Sequence, residues 1–129
     1  MRCTRSRVRG TAGKRTVAAA DVVRIVLMTA PHAEVAERIV MTLVDERLAA
    51  CGNIVPGVVS IYRWEGAVQR DAEVLVVLKT TAERVPAVLE RAAALHPYEV
   101  PELLVVDVAA GLAQYLQWVA ASCSEQSEG

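Results

Sequence analysis

The order of apolar runs predicts an α+β fold of the split βαβ, ferredoxin-like kind, β-α-β-β-α-β, with one further C-terminal helix. Three observations predict it. Runs rich in Val, Ile and Leu recur at 22–28, 51–64, 73–80 and 102–108, with the residue types and lengths of strands. Segments of helical period follow Pro31 and Thr80, each between two of those runs. The pair Glu65-Gly66 joins the second and third runs as a tight hairpin turn, with no room for a helix.

Each element has its own justification. VVRIVLM (22–28) is a nearly continuous run of strand formers. After Pro31, Val35, Ala36, Ile39, Val40, Leu43, Val44 and Leu48 share one helical face, opposite Glu34, Glu37, Arg38, Asp45 and Glu46. Proline suits a first helical position, and Glu34 and Glu37 suit the positive end of the dipole. CGNIVPGVVSIYRW (51–64) reads as a long strand interrupted by Pro56-Gly57, where a bulge or bend is expected. EVLVVLKT (73–80) is the returning strand, and Thr80-x-x-Glu83 has the pattern of a capping box. It opens a second helix carrying Val85, Val88, Leu89, Ala92 and Leu95, with Pro86 sitting awkwardly inside. LHPYEVPEL (95–103) then breaks the helix, because its two prolines remove donors and force extended backbone. ELLVVDV (102–108) is the last strand, and after Gly111 a short helix carries Leu112, Tyr115, Leu116 and Val119.

Two helices cover one face of a four-stranded sheet, yet the strands at 22–28, 73–80 and 102–108 are apolar on both faces. An uncovered apolar sheet face is an exposed patch of unusual size, so an obligate oligomer is expected.

Composition bounds the rest. A chain of 129 residues, 53% apolar, is one domain with a real core. No uncharged apolar run approaches membrane-spanning length. Six of the 14 Lys and Arg fall in residues 1–20, which hold no acid; the remainder sets eight bases against 15 acids. That acidic body argues against nucleic acid as a partner, and the absence of Phe removes stacking aromatics. Residues 1–20 read as a basic disordered tail or a mis-assigned start, with a transit peptide as the other reading. Residues 21–121 form the domain and 122–129 a polar disordered tail. Cys3, Cys51 and Cys123 form no C-x-x-C pair, and two of them fall in the expected tails; free thiols in a reducing cytoplasm follow. No nucleophile elbow, zinc-protease, P-loop or dinucleotide motif is present, so no enzyme is expected.

The strings ERLAACGNIVPG (46–57), SIYRWEG (60–66), EVLVVLKT (73–80), HPYEVPE (96–102) and YLQW (115–118) resemble the CutA divalent-cation tolerance family, in order and spacing, over about residues 22–121. The resemblance implies a homotrimer with sheet faces inward and each bent hairpin pairing with a neighbour. It also implies tolerance of copper and other divalent metals. The positions proposed to bind copper in some bacterial relatives fall here on Met28, Arg91 and Leu95, of which only Met28 is a soft ligand.

The candidate metal residues are His96, Glu99, Met28 and Cys51, for Cu, Zn or Ni. His96 has a second reading, as a helix-end residue whose ring bonds backbone carbonyls. Cys51 has one as a small buried hydrophobe. His32 is expected at an exposed first turn. A second candidate site is an intersubunit cleft lined by Lys79, Tyr98, Glu102 and Trp64, with Lys79 paired to Glu102 or Glu99, fit for a small anion or partner peptide. Trp64 and Trp118 also read as packing residues, Trp64 between subunits and Trp118 over the sheet edge.

Overall fold

A computed structural model of the chain describes residues 14–18 and 22–124. In order they form β1 (Thr16–Ala18), β2 (Val23–Ala30), α1 (Ala33–Asp45), β3 (Cys51–Trp64), β4 (Ala67–Thr81), α2 (Val85–Leu95), β5 (Leu103–Asp107), β6 (Ala110–Leu112) and α3 (Ala113–Ser122). Strands β3-β4-β2-β5 make one antiparallel sheet in that order, which is the ferredoxin-like arrangement. The sequence-based expectation of fold class holds.

Strand alternation decides which face is buried. Val26, Met28 and Ala30 of β2 and Val74, Val76 and Leu78 of β4 point to one side. There they meet Val35, Ala36, Ile39, Val40 and Leu43 of α1 and Val88 and Ala92 of α2. Gly52 of β3 lies close under Val40 and Leu78, where a Cβ would come within 2.8 Å of both side chains.

The long β3–β4 hairpin closes in a tight turn. Glu65 (φ 51°) and Gly66 (φ 82°) are both left-handed, the two-residue geometry that matches strand twist. Nearer the body the register slips between Val55 and Val58, at Pro56-Gly57, with Gly57 at φ 80°. The bend expected there is present. Beyond it the hairpin arm exposes Ile61, Trp64 and Val68, each more than half accessible.

Several local expectations change. Pro31 precedes the cap of α1 and is not its first residue: His32 is extended, and its carbonyl accepts the first helical bond, from the Ala36 amide. Thr80 does not cap α2, because β4 continues through Thr81. Its hydroxyl is fully buried and donates to the Leu48 carbonyl at 2.6 Å. Arg84 is the cap, and Pro86 falls in the first turn, where a missing amide costs nothing.

The expected N-terminal tail is only partly described. Within it Thr16–Ala18 pairs antiparallel with Ala110–Leu112, and the Arg15 carbonyl accepts the Ala113 amide at 2.7 Å. That three-residue strand replaces part of the tail; residues 1–13 and 19–21 lie outside the described residues, Cys3 among them. At the other end α3 includes Ser122, and Cys123 is buried against Val23, Ala50, Leu116 and Val119. The domain therefore runs past 121, and residues 125–129 lie outside the described residues.

Candidate functional site

Opposite α1 and α2, the sheet presents Ile25 and Leu27 from β2, Leu75 and Val77 from β4, and Leu104 and Val106 from β5. The two β5 residues are 55% and 42% accessible. Helix α3 covers only one end of this face, around Val23 and Ala50. Along β4 the apolar stretch is bracketed by charge, Glu73 at the hairpin end and Lys79 at the α3 end, all on alternate positions. Two polar clusters follow from those brackets.

The first lies at the turn between α2 and β5. His96 caps α2 with extended backbone, and its ring packs inward, only 7% accessible. Nε2 lies 2.8 Å from the Thr29 carbonyl, and Nδ1 accepts the Tyr98 amide at 3.1 Å. A carbonyl only accepts and an amide only donates, so the ring carries its proton on Nε2. Tyr98 tilts against the imidazole, with centroids 4.7 Å apart, and its hydroxyl donates to Glu73 at 2.7 Å. Burial, and then that bond to a carboxylate, pushes the Tyr98 phenol well above the usual tyrosine range. On the adjoining arm the Tyr62 hydroxyl donates to Asp71, and that bond is the main cause of an upward shift at Tyr62.

The second cluster lies at the α3 end. The Lys79 amine donates to the Asn53 side-chain carbonyl. Cys51 stands directly across from Lys79 in the ladder, and its thiol lies 3.7 Å from the Tyr115 hydroxyl. Tyr115 in turn lies tilted against Trp118, with centroids 5.5 Å apart. Burial pushes the nearby Cys123 thiol up, keeping it protonated.

The candidate metal residues are not brought together. Met28 is wholly enclosed in the core under the helices. Both nitrogens of His96 are engaged within the chain. Cys51 faces Lys79, which pairs with Ile25, whereas His96 reaches Thr29. Four residues along a strand separate them by roughly 13 Å. Glu99 lies in the α2–β5 turn. Among the described residues no group of three His, Cys, Asp or Glu converges to hold a metal. The donor set does not fit a preformed cage in one chain.

Within one chain the residues expected to line an intersubunit cleft lie apart. Lys79 is held by Asn53 and not by Glu99 or Glu102 of the same chain, because those acids precede β5, whose first pair, Leu103 with Met28, lies toward the other end of β2. Trp64 sits at the hairpin tip, far along β3 from Cys51. Tyr98 joins the cluster at the α2–β5 turn through Glu73, and Lys79 the one at the α3 end through Asn53. The sequence reading missed Glu73, Asp71, Asn53 and Tyr115. No helix among the described residues is long and apolar enough to cross a membrane.

Comparison with known proteins adds a further finding. Residues 24–122 match the family described as CutA1 divalent ion tolerance protein. The Divalent-cation tolerance protein CutA of Thermus thermophilus is 53% identical over 95 residues, 74% of this chain and 92% of that protein. Protein CutA 1, chloroplastic, of Oryza sativa is 42% identical over 101 residues, 78% of this chain but only 57% of the longer rice protein. A solved divalent cation tolerance protein (Cut A1) from Thermus thermophilus superposes with a TM-score of 0.77 at 49% identity, covering 79% of this chain and 99% of that one.

Proposed function

Because the chain belongs to the CutA1 divalent ion tolerance protein family, we propose that it is a homotrimeric divalent-cation tolerance protein that binds metal ions weakly and performs no catalysis. The open sheet face carries this reading. Ile25, Leu27, Leu75, Val77, Leu104 and Val106 form a contiguous apolar surface on the side the main helices leave bare. Burying apolar area at about 25 cal/mol per Å² makes such a face a strong drive to self-association. The exposed apolar arm of the β3–β4 hairpin extends that surface toward neighbouring copies.

Metal contact in this reading belongs to the assembled surface and not to a cage within one chain. Copper, zinc and nickel are the ions to test. Free thiols at Cys51 and Cys123 support a reducing compartment, the cytoplasm, as the working location. Native mass spectrometry of freshly purified protein, followed by calorimetric titration with Cu²⁺, Zn²⁺ and Ni²⁺, tests both halves. The expected result is three chains and micromolar or weaker binding. A stable monomer sinks the assembly, and the absence of any metal binding sinks the metal half.

One observation favours a second reading, a trimer whose intersubunit cleft takes a small anionic effector. Lys79 places an ammonium, steadied by Asn53, at the border of an apolar face. An anionic small molecule that co-purifies with the wild type and is lost in Lys79→Ala supports it. Identical spectra from both proteins remove it.

A further inference from the structure

We propose that His96 is a proton-operated latch on the turn between α2 and β5. It lies within one chain and does not rest on the assembly or metal readings. Leu103 is the first residue of β5 to pair with β2, at Met28, so Thr29 lies one step past the end of that ladder. The ring N–H of His96 reaches the Thr29 carbonyl there. Pro97 has no amide, which makes Tyr98 the first donor after the ring, and its N–H closes onto Nδ1. The imidazole thus bridges an obligate acceptor and an obligate donor, and only the neutral Nε2–H tautomer satisfies both.

A proton taken from solvent onto Nδ1 removes the lone pair that receives the Tyr98 amide. Two N–H donors then confront each other across a 3.1 Å contact beside a ring that is itself buried. A buried donor without an acceptor is costly, so the ring or the amide turns away. The Tyr98 side chain lies tilted against that ring and is bonded to Glu73, so the turn's hold on the hairpin goes with it.

The surrounding charges are compatible with this. Glu73 and Asp71 face the cluster from β4, Tyr62 faces it from β3, and Tyr98, Glu99 and Glu102 belong to the turn itself. From β2 comes only the Thr29 carbonyl, and Arg91 of α2 is turned toward Glu46.

The test is an NMR titration of the ¹⁵N-labelled full chain from pH 8 to pH 5. It follows the His96 ring nitrogens, the Glu73 signals and the solvent protection of the Tyr98 amide, corrected for the intrinsic pH dependence of exchange. Protection is expected to fall at least tenfold in step with His96 protonation, with Glu73 moving in the same step. In His96→Gln the step should vanish. In Tyr98→Phe the amide step should persist while Glu73 no longer moves. A Tyr98 amide that keeps its protection while the ring titrates overturns the latch. So does a ring that stays neutral to pH 5, or an unchanged step in His96→Gln.

Discussion

The Tyr98 hydroxyl donates to the Glu73 carboxylate at 2.7 Å and so fastens the α2–β5 turn to the base of the hairpin arm. The phenol's folded-state pKa is raised, first by burial and then by this bond. A raised value means that the neutral form is favoured by folding. The contribution is complete below the usual phenol value, about 10, and is lost as pH climbs through the higher folded value. Tyr62 is shifted in the same direction by Asp71. Absorbance at 295 nm during an alkaline titration should show two late phenols in the wild type and one in Tyr98→Phe. Normal titration of every phenol in the wild type refutes it.

Two glycines should fail for opposite reasons. A Cβ on Gly52 would come within 2.8 Å of both Leu78 Cδ2 and Val40 Cγ1. Gly52→Ala therefore overpacks the core, with an expected loss of about 1–3 kcal/mol. A Cβ on Gly57 meets nothing within 4 Å, but φ is 80°. Gly57→Ala should cost about 1–2 kcal/mol through backbone strain alone. Urea unfolding separates the two causes: Gly52→Ala combined with Val40→Ala should recover stability relative to Val40→Ala alone, whereas Gly57→Ala should be indifferent to Val40.

These glycines show what was legible from sequence. Gly57 and Glu65-Gly66 announce themselves locally, because turns and bulges need particular φ values from particular residues. The strand order was readable from the alternation of periods between those markers. Thr80 was misleading because its capping pattern is local, while its actual acceptor, the Leu48 carbonyl, lies 32 residues away. The partner of the His96 ring is 67 residues away, and no periodicity reports it. The Tyr62–Asp71 bond was within reach. Counting outward from the turn sets Tyr62 opposite Gln69, which makes Asp71 its diagonal neighbour on the same face.

Between the helices, Arg91 grips Glu46 with two parallel bonds, Nε to Oε1 at 3.0 Å and Nη2 to Oε2 at 2.8 Å. The grip, chiefly its hydrogen bonding, lowers the Glu46 pKa. A lowered carboxylate contributes stability above its unfolded value, about 4.3, and loses it as pH falls through the folded value. Arg91→Ala should be less stable than wild type at pH 7, with a gap that shrinks in high salt and closes in acid. A gap that persists at pH 3 would assign the effect to packing of the arginine stem.

The strand at Thr16–Ala18 makes the last prediction. It holds β6 through backbone pairing, and the Arg15 carbonyl satisfies the first amide of α3. Because α3 buries Leu116, Val119 and the following Cys123, loosening its start exposes one end of the sheet. No side-chain period marks so short a strand, and its partner lies more than 90 residues away, which is why the sequence read it as tail. Removal of residues 1–13 should leave thermal stability unchanged. Removal of residues 1–18 should cost about 1 kcal/mol, or roughly 5 °C in Tm for a domain near 100 residues. Scanning calorimetry on the two truncated proteins decides it. Equal midpoints would show that the short strand adds nothing to the fold.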